Sequence, residues 1–523
     1  VLKKLNISKS SLLRMVTAFA AGASTTLAFA PYVIWAFYPA AMIFVLYQSR
    51  HLTPKENFFH WLSFGFGCFA FGISWVHVSI DTFGGLPLIV SMGLMGLLAL
   101  YLALYPALAG YLTAKLSQFP HFKHWHHPFQ YLGLFPALWV LTEWMRGWVL
   151  TGFPWLWAGY SQTQGPISEL GSVIGALGLS YLIALFCGSI VLVLKKRFIS
   201  AAVITAIIII ATLITPLTSN ISPRGETVRV ALVQGNIEQS MKWEPDALWP
   251  TLLKYMDLSR PNFDADIVVW PEAAVPAPES MVGDFLHNTD KVANMNNSAI
   301  ITGIISLQQQ EFYNSLIVMG NANQPVQSHG DYQGNGTNDY KKHHLLPIGE
   351  FVPFESLLRP LAPFFNLPMS SFARGDFQQK NLNAMGYQIA PALCYEIVFP
   401  EQLRANTHAD TDLLLTVSND AWFGDSIGPL QHMEIAQMRS IELGRPLVRA
   451  TNNGVTAVVD IHGRITHKIP QFQEGVLVAD VPLYDGETWF KRIGQTPLLL
   501  LCGLLFLIGL TQQIILWKKG HRD

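Results

Sequence analysis

Charge is what this sequence has least of. Only 13% of its 523 residues are Asp, Glu, Lys or Arg, against about 25% in an ordinary soluble domain. With 50% of the chain hydrophobic, that scarcity excludes both a conventional soluble multidomain enzyme and a disordered chain. The formal net charge is −1. A nucleic-acid binder needs a basic surface, so no nucleic acid is expected among the partners. Cysteine is scarce too: Cys68, Cys187, Cys394 and Cys502 have no spacing that frames a disulfide scaffold or a zinc site. Three of them fall within long apolar runs and Cys394 does not. Internal repeats and low-complexity tracts are absent.

What charge there is divides the chain. Residues 1–224 carry 13 Lys/Arg and 4 Asp/Glu, leaving 21 and 31 for the remainder. Apolar runs lie near residues 11–30, 32–48, 59–78, 86–113, 129–147, 166–194, 198–218 and 496–517. A bilayer core takes roughly 20 helical residues, so eight membrane helices are predicted. The first is not read as a removable signal peptide, because equally hydrophobic runs follow and Pro31 directly after Ala28-Phe29-Ala30 is a poor cleavage position.

Basic residues mark every second connection. Lys3, Lys4 and Lys9 precede the first run, Arg50 and Lys55 follow the second, and Lys115 and Lys123 follow the fourth. Lys195, Lys196 and Arg197 follow the sixth, and Lys518, Lys519 and Arg522 the last. Positive loops stay cytoplasmic, so both ends are expected inside and the acidic half outside, in a bacterium the periplasm. The predicted organisation is helices one to seven in residues 1–219, an outer domain in 220–495, and the eighth helix with a cytoplasmic tail in 496–523.

Within the acidic half, β-branched runs at residues 228–234, 266–270, 299–306, 314–318, 389–394, 412–417, 446–451 and 476–481 read as strands. Helical stretches at 246–259, 282–294 and 429–443 alternate with several of them, which implies one layered α/β domain. Candidate chemistry falls where apolar strands end. Ala390-Pro391-Ala392-Leu393-Cys394-Tyr395-Glu396 closes a strand on a thiol, and Trp270-Pro271-Glu272 closes another on a carboxylate. Tyr340-Lys341-Lys342-His343-His344-Leu345-Leu346-Pro347-Ile348-Gly349-Glu350 adds two amines and a second carboxylate. A thiol, with an unperturbed pKa of about 8.5, attacks only once activated. A carboxylate to take its proton and an ammonium to hold an oxyanion complete an acyl-transfer set. Taken alone, a cysteine at a strand end is equally a small core hydrophobe, and Lys341 rivals Lys342 as the ammonium.

Trp-Pro-Glu, Tyr-x-Lys-x-His-Leu and Cys-Tyr-Glu, in this order, resemble the Glu-Lys-Cys motifs of the nitrilase superfamily. Arg146-Gly147-Trp148-Val149-Leu150-Thr151-Gly152-Phe153-Pro154-Trp155, Pro347-Ile348-Gly349-Glu350-Phe351-Val352-Pro353 and Ser418-Asn419-Asp420-Ala421-Trp422-Phe423-Gly424 narrow the likeness. With the eight spans, the chain resembles the apolipoprotein N-acyltransferase family essentially end to end. The resemblance implies an eight-helix transmembrane bundle (α) carrying a periplasmic nitrilase-like αββα sandwich (α/β) in the bacterial inner membrane. It makes Glu272 the general base, Lys342 the oxyanion-stabilising lysine (two residues before the His of His344-Leu345) and Cys394 the nucleophile. Glu350 would support the triad, Tyr395 and Glu396 flank the nucleophile, and Trp243, Trp422 and Phe423 handle acyl chains or substrate. Ile348 and His343 are small departures that leave the assignment standing.

The implied reaction is ping-pong. Cys394 takes the sn-1 acyl chain of a phospholipid, with phosphatidylethanolamine the expected donor, as a thioester. The α-amine of the diacylglyceryl-modified N-terminal cysteine of an apolipoprotein then receives it. No metal or cofactor is implied, and a monomer suffices. The membrane half adds Arg146, read either as a head-group ligand or as the snorkelling partner of Glu143, and Trp148, read as interfacial belt or lipid-binding wall. Residues 351–369, loop-like yet rich in Phe and Leu, are expected to form a mobile arm that opens for lipids. A membrane-tethered amidase using the same triad with water, and a transporter or scaffold, are the alternatives. Acidic residues in the spans are too few for an ion-coupled transporter.

Overall fold

A computed structural model of the chain describes residues 9–117, 126–321, 330–334, 338–347, 349–351 and 371–520. It divides into two compact units: Val1–His77, Leu86–Ser219 and Arg492–Asp523 in the first, Val78–Gly85 and Asn220–Lys491 in the second. Apart from Phe351, the expected arm over residues 351–369 lies outside the described residues.

The first unit is helical because its residues are apolar without alternation. Each of the eight apolar runs carries a helix. Among the described residues, Leu88–Leu116, Ser168–Val193, Phe198–Thr218 and Thr496–Ile515 are long and apolar enough to cross a membrane, and Pro54–Gly72 with Val76–Phe83 makes a fifth if the bent pair is one span. Lys9–Ser24, Phe37–Ser49 and Phe135–Arg146, of 16, 13 and 12 residues, are shorter than the roughly 20 a crossing takes. The first run breaks into a 3-10 turn over Thr25–Ala28, and the fifth opens with a π-helical turn over Gln130–Leu134. Helix Pro54–Gly72 begins where Thr53 and Glu56 satisfy each other's backbone donors in a capping box. It meets Lys9–Ser24 backbone to backbone: a Cβ on Gly22 would lie 1.9 Å from the Phe64 carbonyl oxygen, and one on Gly67 2.1 Å from that of Phe19. Small residues permit such contacts where there is no water to drive helices together.

Among the described residues, thirteen strands build the second unit. They are β1 (Ser222–Gln234), β2 (Ile267–Val269), β3 (Val275–Pro278), β4 (Ala299–Gln308), β5 (Glu311–Gly320), β6 (Asp339–Lys341), β7 (Leu382–Ala384), β8 (Tyr387–Leu393), β9 (Leu413–Ser418), β10 (Leu447–Thr451), β11 (Thr456–Val459), β12 (Ile465–Ile469) and β13 (Gly475–Asp485). One sheet has the order β13-β1-β2-β4-β5-β6 with β3 beside β4, the other β12-β11-β10-β9-β8-β7. Period-two alternation packs them. In β1, Val228, Val230 and Leu232 belong to a core shared with Ile389, Leu415 and Val448 of the other sheet, whereas Ala231 and Val233 turn to helices Leu248–Ser259 and Gly283–Met295. Each fully buried Val, Leu or Ile contributes roughly 1.5–3 kcal/mol. Helices Pro400–Asn406 and Gly428–Leu443 pack on β8 and β10, which completes an αββα sandwich. Pairs β1–β2, β8–β9 and β9–β10 are parallel. Their carboxyl ends therefore leave the sheets on one side, where ligand sites of α/β folds form.

Candidate active site

Lys342 is the first residue past β6. Its backbone N–H still donates to the Asn314 carbonyl of β5 at 2.8 Å, which fixes where the side chain starts. Nζ lies 3.1 Å from Glu272 Oε1 and 3.0 and 2.9 Å from Glu350 Oε1 and Oε2. The Asn314 side-chain amide donates to the same two carboxylates, at 2.9 Å to Glu272 and 2.7 Å to Glu350. Glu272 follows the carboxyl end of β2 and also accepts the Asn419 N–H at 3.0 Å. Gly303 of β4 makes room for this turn, since a Cβ there would lie 2.7 Å from the Glu272 Cα. Burial works against the charges of Lys342 and Glu272 and is outweighed by their partners. The carboxylates hold the Lys342 ammonium well above its ordinary range, while Lys342 and Asn314 keep the Glu272 carboxyl below its own.

Cys394 follows β8 with φ +50°. A non-glycine residue in that region is held there by its surroundings. Glu396 does most of the holding: its buried carboxylate accepts from the backbone N–H of Leu393 at 2.8 Å, of His343 at 2.7 Å and of His344 at 3.1 Å. It also accepts from the Tyr340 hydroxyl at 3.0 Å and the Gln402 amide at 2.8 Å. One carboxylate thereby clamps the lysine-bearing segment to the cysteine turn.

Behind the thiol lies a second polar cluster. The Ser418 hydroxyl is 3.3 Å from Cys394 Sγ and donates to Asp420 Oδ1 at 2.5 Å. Arg449 Nη2 donates to Asp420 Oδ2 at 2.8 Å and to His432 Nδ1 at 3.0 Å, and His432 Nε2 donates to the Cys394 carbonyl at 3.0 Å. Burial and Arg449 lower the imidazole pKa, consistent with a neutral ring protonated on Nε2. Burial, then the charge of Glu272, pushes the Cys394 thiol up, with Lys342 opposing. The resting group is a neutral thiol, which could attack only as its proton leaves.

Glu272, Lys342 and Glu350 are thus in direct contact, and Cys394 feels the charges of the first two. Tyr395 packs edge-on to Phe399 at 5.2 Å. The Trp422 carbonyl accepts the Ser79 hydroxyl at 2.7 Å and its ring meets Phe83 at 5.4 Å, whereas Phe423 covers the His432 ring at 6.0 Å. Trp243 and Trp422 are each 39% exposed. In the first unit, Trp148 is exposed beside Trp144. Arg146, read as either a head-group ligand or the partner of Glu143, is buried with its guanidinium donating to the carbonyls of Phe153, Trp155 and Leu156, and so fastens the following loop. Sequence reasoning assigned no role to Asn314, Ser418, Asn419, Asp420, His432 or Arg449. A signal existed for three: the polar Ser418-Asn419-Asp420 ends an apolar strand as Glu272 and Cys394 do.

The chain matches the Apolipoprotein N-acyltransferase N-terminal domain family over residues 21–189 and the Carbon-nitrogen hydrolase family over residues 229–491. A relative from Shewanella oneidensis named apolipoprotein N-acyltransferase is 67% identical over 502 residues, covering 96% of this chain and 96% of its own. One of the same name from Vibrio parahaemolyticus is 47% identical over 523 residues, covering 99% and 100%. Among solved structures, a CN-hydrolase superfamily protein from Xanthomonas campestris is similar at 20% identity and a TM-score of 0.35, covering 49% of this chain and 91% of that one.

Proposed function

The chain belongs to the apolipoprotein N-acyltransferase family and is a membrane N-acyltransferase of lipoproteins, and on that premise we propose that it works through an acyl-enzyme on Cys394. The observation that carries this reading is Lys342 held by Glu272 and Glu350 at 2.9–3.1 Å beside a thiol on a strained turn. Glu272 takes the thiol proton as sulfur attacks the sn-1 ester carbon of a phospholipid, phosphatidylethanolamine being the expected donor. The carbonyl π pair moves onto oxygen. Collapse breaks the ester C–O bond, and the leaving alkoxide receives the proton from Glu272. A thioester and a lysophospholipid result. The α-amine of the diacylglyceryl-cysteine then attacks the thioester, Glu272 accepts the amine proton, and the thiol is restored.

Glu350 and Asn314 keep Lys342 and Glu272 in register, and Tyr395 with Glu396 sets the turn. Trp243, Trp422, Phe423 and Trp148 offer apolar surface to acyl chains. The cellular arrangement fits eight spans, with residues 1–219 and 496–523 in the inner membrane and residues 220–495 in the periplasm, as a monomer. Both substrates are then presented at one bilayer surface. Initial rates measured while phospholipid and diacylated lipopeptide are both varied are expected to give parallel double-reciprocal lines. Intersecting lines would require both substrates bound together and reject the two-step route.

A further inference from the structure

Lys242 lies past the carboxyl end of β1, in a turn where its backbone N–H donates to the Glu238 carbonyl at 3.1 Å. The Asn419 side chain anchors that turn by donating to Gln239 Oε1 at 2.7 Å, and Asn419 itself contacts Glu272. Lys242 is only 2% exposed. Nζ makes one hydrogen bond, to the Glu272 carbonyl oxygen at 3.1 Å, and pairs with no carboxylate among the described residues. Two of its three N–H donors are left over. Burying an ammonium without a counter-ion costs several kcal/mol, and such groups concentrate at functional sites. Lys342 is the opposite case: its three donors face three carboxylate oxygens at 2.9–3.1 Å. An oxyanion arriving at Lys342 must compete with Glu272 and Glu350, whereas Lys242 has donors to spare.

We propose that Lys242 is a second oxyanion donor of this site, its two unused N–H groups meeting the alkoxide oxygen of the tetrahedral intermediate in both half-reactions. The proposal rests on the acyl-enzyme reading. As the Cys394 S–C bond forms and the carbonyl π pair moves to oxygen, the new negative charge finds a cation already desolvated and with no anion to give up. That charge disappears when the ester C–O bond breaks, or the thioester C–S bond in the second half-reaction, and Lys242 returns to the Glu272 carbonyl alone. No proton leaves Lys242 at any step.

The groups that face Lys242 are Glu272 after β2 and Cys394 after β8, with Lys342 after β6 pairing the Glu272 carboxylate. Burial pulls the Lys242 pKa down to about 8, against the charge of Glu272. The cation is therefore present at neutral pH and lost as pH rises through about 8, which predicts a basic limb there in the acylation rate.

The test is single-turnover labelling of the full-length protein in mixed micelles, with phosphatidylethanolamine radiolabelled in its sn-1 acyl chain, across pH. Lys242→Met is expected to slow saturated label transfer to Cys394 by about 10²- to 10³-fold, the loss typical of an oxyanion donor. Half-saturation by the phospholipid should be unchanged and the limb near pH 8 should vanish. Lys242→Arg is expected to recover most of the rate and move the limb upward. Lys242→Met acylating at the wild-type rate would overturn the proposal. So would a Lys242→Arg protein as slow as Lys242→Met with the limb unmoved, since Lys242 would then only brace the Glu272 carbonyl. Should Lys242→Met not fold, the position of the limb in Lys242→Arg decides. Absence of label from wild-type protein would remove the acyl-enzyme reading itself, and this proposal with it.

Discussion

Glu272→Gln is expected to lower the rate of Cys394 acylation by about 10⁴-fold, the upper end of what a positioned general base contributes. The reason is electrostatic and geometric together. The Glu272 carboxylate accepts from Lys342 at 3.1 Å, Asn314 at 2.9 Å and the Asn419 N–H at 3.0 Å. An amide of the same size must turn its NH₂ toward one of these donors, so it loses the base and also sets two donors face to face. The thiol cannot compensate, because burial holds it protonated. Single-turnover acylation measures the effect, and a variant that forms acyl-enzyme at the wild-type rate would show that the thiol proton goes elsewhere. Its Lys342 should remain charged through Glu350, so the variant is expected to fold and bind phospholipid.

Asp420→Asn is expected to be the most destabilising conservative change in the second unit. Asp420 and Arg449 have fully buried side chains 2.8 Å apart. Removing one partner of such a pair costs about 3–5 kcal/mol because the other charge is left buried and unmatched, a fall in the thermal midpoint on the order of 10 °C. Burial raises the Asp420 pKa, but the Arg449 guanidinium, with the Ser418 hydroxyl, outweighs it and the folded value lies below the ordinary carboxylate range. Its stabilising effect is therefore complete above the unfolded pKa of about 3.9 and fades only as pH falls through the folded value. The gap between wild-type and Asp420→Asn midpoints should stay constant from neutral pH to about 4 and narrow only below that. A gap that opened or closed between pH 5 and 8 would instead place the effect on His432. Loss of the anchor should also loosen the Cys394 carbonyl, which His432 holds at 3.0 Å, and slow acylation.

Much of this candidate site was legible because Cys394 and Glu272 sit at strand ends, where one short motif carries both the strand and the side chain. Lys342 follows β6, too short to read as a strand, and was separated from Lys341 only by the family resemblance. Glu396 was named for its place beside the nucleophile, but its work as a clamp depends on Tyr340, His343 and His344, more than 50 residues away in sequence. Asn314 and Arg449 lie inside buried strands, where only the registers of β5 with β6 and of β10 with β9 bring them to a carboxylate. Lys242 looks in the sequence like a solvated turn residue beside Trp243, and only the fold shows its turn tied down by the Asn419 and Asn452 side chains, which donate to Gln239 Oε1 and the Ile237 carbonyl.

Five strands went unread for similar reasons. Segments β3, β6, β7 and β11 are three or four residues long, too short for a period to register. In β12 the central Thr466, His467 and Lys468 are all exposed, so no hydrophobic alternation marks it. Arg146 was left open between a head-group ligand and a partner of Glu143, and only the loop returning over residues 153–156 supplied its carbonyl partners.

The central claim is that the acyl chain passes through a thioester on Cys394. Purified full-length protein incubated with phosphatidylethanolamine radiolabelled in the sn-1 acyl chain, without acceptor, should acquire one label per chain. The label should be released by hydroxylamine, be absent from Cys394→Ala, and be discharged onto a diacylated lipopeptide when that is added. Label retained in Cys394→Ala, or acyl transfer to the lipopeptide by a wild-type enzyme that never carries label, would contradict the account.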